Sequence, residues 1–177
     1  SKKYKDVLFF MHCDPYDGAA LFDLIKLIEK FNLQNRFVFS GLKYYNTFTY
    51  KQMNEIYNVM DILLSTTSGE GFGICTIEAM SCQIPIVITN YTTSKEIILE
   101  NGQCGEVVEL SAEVTGNWNV DRAVIDINDC VNKIEKLYHS ESLRKQYGEV
   151  GRKKCEQFYE WDIVIEQWDL LFKKYKG

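Results

Sequence analysis

Five short apolar runs separated by helix-forming segments constrain the fold of this chain more than any other feature. DVLFFM (6–11), RFVFS (36–40), DILLS (61–65), IVITN (86–90) and GEVVE (105–109) each read as a strand. Between them, apolar residues recur at spacings of three and four. Ala20, Leu21, Leu24, Ile25, Ile28 and Phe31 do so after the PYDG turn at 15–18, predicting a helix from Asp17 to Phe31. Met53, Ile56, Tyr57 and Met60 do so after a Thr49–Gln52 capping pair. Ile74 to Ser81 reads as a third helix, and Thr93 with Glu96 caps a fourth through Glu100. Apolar strands that alternate with helices predict an α/β fold of Rossmann-like type: an open parallel sheet with helices on both faces.

The polar stretch 111–120 is expected to be an exposed loop. Beyond it, Val124, Ile127, Val131, Ile134 and Tyr138 stripe one helix, and Ser140 caps another carrying Leu143, Tyr147, Val150 and Cys155. A final helix from about Asp162 is expected to bury Ile165, Trp168, Leu171, Phe172 and Tyr175.

With 177 residues, 46% of them apolar and 25% charged, the chain has enough material for one folded domain with a real core. The formal charge of -5 gives no support to a nucleic-acid surface, which concentrates Lys and Arg. Six scattered cysteines without CxxC spacing, and two histidines, give a metal site no support. Cys75 and Cys82 read as core filler. A reducing, cytoplasmic compartment suits this cysteine usage, although an even count keeps disulfides open. No apolar run approaches the ~20 residues that span a bilayer, and residues 1–6 show no signal peptide.

The stretch SGEGFGICTIEAM (68–80) is the candidate for a ligand site. In open parallel sheets ligands bind beyond the carboxyl ends of strands, where loops such as 66–73 lead into helices. Gly69, Gly71 and Gly73 let the backbone turn tightly and approach a ligand, and the first turn of the following helix offers N–H groups to a phosphate. The dinucleotide fingerprint and the GKS or GKT of a P-loop are both missing. A plain strand-to-helix connection would explain the glycines alone. Two carboxylates add to them: Glu70 in the loop, where it can reach ligand hydroxyls, and Glu78 inside the apolar ICTIEAM, where it requires hydrogen-bond donors. Ligand hydroxyls would serve Glu78, and so would a core arginine or backbone amides.

The two glutamates eight residues apart, followed by AM and PIVIT, resemble the nucleotide-sugar site of the family 4 glycosyltransferases. NRFVFSG (35–41), YNVMDILLST (57–66), PIVITN (85–90), SKEII (94–98), CGEVVE (104–109) and QFYEWDIVIEQW (157–168) follow that family's order, so the resemblance covers nearly the whole chain. It implies the C-terminal, donor-binding domain of a two-domain GT-B enzyme. Residues 1–110 would be the Rossmann-like donor core, missing its first strand, and 111–177 a linker and helices completing the same domain. The reaction implied is transfer of a sugar from a UDP- or GDP-linked donor to a glycan or other hydroxyl-bearing acceptor. The anomeric configuration is retained, and neither metal nor cofactor is required. Glu70 would contact the transferred sugar and stabilise charge at the reacting carbon. The amides of Gly71, Phe72, Gly73 and Ile74 would receive the distal phosphate, Glu78 would hold the ribose, and Lys43 and Tyr44 would border the base. Asn90 to Thr93 would line the donor pocket, with Thr93 equally readable as a helix cap.

The family's diphosphate-binding Arg and Lys, and its histidine-bearing N-terminal domain, have no counterpart in these residues. Lys2, Lys3 and Lys5 do not match the former, nor His12 the latter. An isolated chain is therefore expected to be inactive, with its own N-terminal Rossmann-like domain as a partner and a peripheral membrane position left open. A non-catalytic nucleotide- or sugar-binding scaffold and a GT-B-related sugar epimerase are the alternatives; a phosphorylase has no supporting lysine motif.

Overall fold

The computed structural model describes residues 3–18, 22–42 and 47–175. They fall into two compact units, residues 1–52 and 53–177. In the first, β1 (Phe9–Met11) pairs in parallel with β2 (Phe37–Phe39), Phe9 opposite Phe37 with rings 5.1 Å apart. The apolar run 6–11 yields only this short strand, and it is not buried throughout: Leu8 is 63% and Phe10 38% exposed. α1 spans Leu24–Lys30, shorter than its apolar spacing predicts, because the Asp23 carboxylate accepts the Lys26 N–H and fixes the N-cap there. Ala20 and Leu21 lie outside the described residues. The Thr49–Gln52 capping pair forms as predicted: the Gln52 side chain accepts the Thr49 N–H, and the Thr49 hydroxyl accepts the Gln52 N–H. It opens α2 (Tyr50–Asn58), which runs into the second unit.

The second unit contains the sheet β3 (Leu63–Ser65), β4 (Ile86–Thr89) and β5 (Gly105–Val108), parallel throughout with β4 in the middle. α3 (Ile74–Ser81) and α4 (Ser94–Leu99) form the connections. Every residue of β4 is buried, and the strand's two-residue period divides them between two cores. Ile86 and Ile88 pack with Ala79, Met80, Ile97, Ile98 and Cys104 on the α3–α4 face. Val87 packs with Val108, Cys130, Leu137 and Tyr147 on the other, covered by α5 (Ile127–Tyr138) and α6 (Glu141–Lys154). Fully burying each such aliphatic side chain contributes roughly 1.5–3 kcal/mol. The parallel α/β fold with helices on both faces and extra C-terminal helices is the one expected.

Three expectations fail. Residues 110–125 are a hairpin rather than a loop: β6 (Leu110–Thr115) pairs antiparallel with β7 (Asp121–Ile125), with an irregularity between Leu110 and Ala112. Most of β6 is exposed on both faces, so no apolar alternation marks it. Val124 consequently belongs to β7, and the helix begins after Asp126, whose carboxylate accepts the Asn128 and Asp129 N–H groups. The last helix, α7 (Trp161–Tyr175), does not bury its apolar stripe: Ile165, Trp168 and Phe172 are 58%, 53% and 59% exposed, and Leu171 and Tyr175 are exposed as well. Finally, Cys75 is exposed and so is not core filler, whereas Cys82, half-buried with its thiol donating to the Asn54 side chain, packs against the core around Met80 and Ile98; all six cysteines are free thiols.

One carboxylate ties the helical layer to the sheet. Glu106 on β5, 3% exposed, accepts hydrogen bonds from the Tyr147 hydroxyl (2.7 Å) and Lys136 Nζ (2.5 Å), with Lys133 Nζ at 3.4 Å. Burial alone would raise its pKa. The hydrogen bonds from Lys136 and Tyr147 and the two lysine charges outweigh that and hold the carboxyl below its ordinary range. A carboxyl depressed on folding stabilises the fold above its unfolded pKa and loses that contribution as pH falls through the folded value. Glu106→Gln should thus lower stability at pH 7 by about 1–3 kcal/mol, with the deficit shrinking below about pH 4, as denaturant titration across pH would measure.

Gly148 on α6 lies against Gln83, where an added Cβ would stand 2.2 Å from the backbone oxygen. Alanine is worth about 0.8–1.0 kcal/mol more than glycine inside a helix. Gly148→Ala should nevertheless lower the melting temperature, because displacing α6 costs about 1–3 kcal/mol; a raised Tm would contradict the packing.

Candidate functional site

The carboxyl ends of β3 and β4 lie side by side because the strands are parallel and in register, Ser65 opposite Ile88. The loops that leave them, residues 66–73 and 90–93, are stitched together by hydrogen bonds. Glu70 N–H donates to Thr92 Oγ1 (3.1 Å), and Thr93 Oγ1 donates to the Phe72 carbonyl (3.4 Å). Within the first loop, Thr67 Oγ1 accepts from Gly69 N–H and donates to its carbonyl. Gly73 is the N-cap of α3 with φ +86°, a conformation that residues with a Cβ rarely adopt. The N–H groups of Gly71, Phe72 and Gly73 donate to no described residue. They stand free at the start of α3, where the helix dipole favours negative charge.

The predicted site residues separate into groups. Glu70, exposed, and Gly71 line a cleft of about 430 Å³ with Gly69, Tyr91, Thr92, Val120, Asp121 and Arg122. Phe72, half exposed, sets its ring edge-on to Tyr159 at 6.0 Å, and Ile74 is 65% exposed; neither lines the cleft. Glu78 lies further along α3, also outside the cleft lining. Its Oε2 accepts the Tyr57 hydroxyl at 2.8 Å, so the donor that a half-buried carboxylate requires comes from α2. Tyr57 is 5% exposed, and burial, followed by the bond to Glu78, pushes its phenol far above the ordinary range. Glu78 Oε1 accepts from no described residue. Lys43 and Tyr44 lie outside the described residues.

Of residues 90–93, Tyr91 and Thr92 line the cleft. The Asn90 amide instead donates to Glu109, and Thr93 makes no side-chain capping bond. His12 stacks on Phe48, rings 5.0 Å apart, within the first unit. Among the described residues, no three His, Cys, Asp or Glu side chains gather so as to hold a metal ion, and no helix is long and apolar enough to cross a membrane.

The sequence reading missed the hairpin's share of the cleft. Ala123 N–H donates to the Ser68 carbonyl (3.0 Å) and Tyr91 Oη donates to the Asp121 carbonyl (3.2 Å), which holds β7 against the glycine turn. Burial, and then the charges of Glu113 and Asp121, raise the Tyr91 pKa, while Arg122 opposes them. No sequence signal links residues 120–122 to residues 69–71; only the folded hairpin brings them together.

A relative from Staphylococcus aureus, a capsular polysaccharide biosynthesis glycosyltransferase, is 31% identical over 119 residues, covering 67% of this chain and 27% of that protein. The fold is similar to that of a sucrose-phosphate synthase from Thermosynechococcus elongatus, with a TM-score of 0.71 at 18% identity over 95% of this chain and 38% of that one. It is also similar to the C-terminal domain of a glycosyl transferase group 1 family protein from Francisella tularensis. There the TM-score is 0.60 at 19% identity, over 78% of this chain and 62% of that one. The chain thus spans less than two thirds of each of these relatives, and only 27% of the first. The glycosyl transferases group 1 profile matches residues 2–154, and the chain, a GT-B-type Rossmann-like domain, belongs to that family.

Proposed function

We propose that this chain is the C-terminal, donor-binding domain of a family 4 glycosyltransferase, which moves a hexosyl group from a nucleotide diphosphate to an acceptor hydroxyl with retention of configuration. The observation that carries the reading is the glycine turn: N–H groups of Gly71, Phe72 and Gly73 that have no partner among the described residues, at the start of α3 beside the exposed carboxylate of Glu70 in an open cleft. Likeness to an isolated C-terminal domain from the same family supports the placement.

As the glycosidic bond to the diphosphate breaks, negative charge grows on the leaving oxygens and positive charge on the sugar carbon. Amides of the Gly71–Ile74 turn fixed at a helix start stabilise the first, since they need no reorientation during the reaction. Glu70 accepts hydrogen bonds from sugar hydroxyls, positions the donor and offsets charge at the carbon; it is assigned no covalent role. Glu78, oriented by the Tyr57 hydroxyl through Oε2, keeps Oε1 for the ribose hydroxyls. Lys43 and Tyr44 border the base, and an N-terminal domain supplies the acceptor side.

Calorimetric titration of the full-length protein with UDP, GDP and ADP tests the donor class. One nucleotide should bind saturably, and Glu78→Ala should weaken it about tenfold or more, the usual consequence of losing hydrogen bonds to a charged acceptor. Glu70→Ala should leave that affinity within a few fold while reducing turnover of the nucleotide sugar by about 100-fold. No nucleotide binding to the full-length protein would sink the assignment.

A further inference from the structure

We infer that Arg122, carried into the cleft by the β6–β7 hairpin, is an oxyanion-binding residue of this site, taking a phosphate or carboxylate group of a bound substrate. The inference rests on the donor occupying the Glu70 cleft. Arg122 lies on β7, directly before Ala123, whose N–H donates to the Ser68 carbonyl at 3.0 Å. Its guanidinium lies over the glycine turn, so that a Cβ on Gly69 would stand 3.2 Å from Nη1. The Tyr91 hydroxyl on the Asp121 carbonyl fixes the strand from the other side. The position of the Arg122 backbone is therefore set by bonds to both substrate loops.

The Arg122 guanidinium makes no hydrogen bond or ion pair with any described residue, although Glu70 and Asp121 line the same cleft. Asp121 Oδ1 is instead occupied by the Thr115 hydroxyl at 2.8 Å. Among the described residues lining the cleft, Arg122 supplies the positive charge, and its planar fork of donors suits two oxygens of one oxyanion. The carboxylate of Glu70 accepts hydroxyl protons. A cleft with both groups fits a ligand that presents hydroxyls and an oxyanion together, as a sugar joined to phosphate does. Two sources share this chemistry: the diphosphate of the donor, and an acidic group on the acceptor.

The test is calorimetric titration of the full-length protein with inorganic pyrophosphate, alone and saturated with the nucleotide it binds, comparing Arg122→Gln and Arg122→Lys with the unaltered protein. Arg122→Gln should weaken pyrophosphate about tenfold or more, and Arg122→Lys should restore part of the loss. If saturating nucleotide abolishes pyrophosphate binding and Arg122→Gln also weakens the nucleotide, the oxyanion belongs to the donor. If Arg122-dependent binding persists beside the nucleotide, it belongs to the acceptor. Pyrophosphate that does not bind, or binds equally to Arg122→Gln with an unchanged melting temperature, overturns the inference. Glu78→Ala in parallel separates this from failure of the donor reading, since nucleotide affinity that depends on Glu78, together with pyrophosphate binding that does not depend on Arg122, overturns only the role of Arg122.

Discussion

The complete burial of β4 is the constraint on which the second unit depends. Its backbone is paired on both sides, by β3 and β5, and its side chains alternate between the two apolar clusters. A strand in that position exposes no backbone polar group at either edge and no side chain on either face. Parallel pairing then forces the loops after β3 and β4 to leave from the same end of the sheet. Glu70 and Thr92, 22 residues apart in sequence, meet in a hydrogen bond for that reason. The geometry of the cleft is a consequence of strand direction before it is a consequence of any functional side chain.

Polar side chains complete what the apolar clusters leave open. Glu106 draws Tyr147 and Lys136 onto β5, tying α6 and α5 to the sheet on the Val87 face. On the opposite face Lys154, 3% exposed, donates to the carbonyls of Ile97 and Gly102, satisfying oxygens around the end of α4. A buried charge without such partners would be costly. Each of these residues looks like an ordinary surface charge in its helical or strand setting, so its partners are visible only in the fold.

The hairpin links this scaffold to the cleft. It is exposed along most of β6 and carries Trp118, 94% exposed, in a turn where Trp118 and Asn119 have φ of 67° and 56°. Backbone hydrogen bonding holds it in place, through Ala123 to Ser68 at the cleft and through the antiparallel ladder itself, together with the burial of Ala123 and the packing of Ile125 at its inner end. An element held in this way can vary in sequence without disturbing the sheet, while its inner edge adds Val120, Asp121 and Arg122 to the cleft.

The amino-acid sequence by itself determined the order of the strands and helices from β1 to β5, the span of α3 from Ile74 to Ser81, and the placement of the glycine turn at a strand's carboxyl end. These follow from local periodicity, caps and glycines, all short-range properties of the chain. It also showed that Glu78 needs a donor, because a carboxylate amid ICTIEAM is out of keeping with its neighbours. Only the tertiary structure decided that the donor is Tyr57, that Tyr91 and Thr92 rather than Asn90 face the cleft, and that residues 110–125 form a hairpin contributing Arg122. The apolar stripe of α7 makes the same point from the other side: periodicity defined the helix and its face, but exposure depends on what packs against that face. Contacts between residues tens of positions apart leave no mark in local pattern, since many sequences satisfy the same strand or helix while differing in what they meet across space.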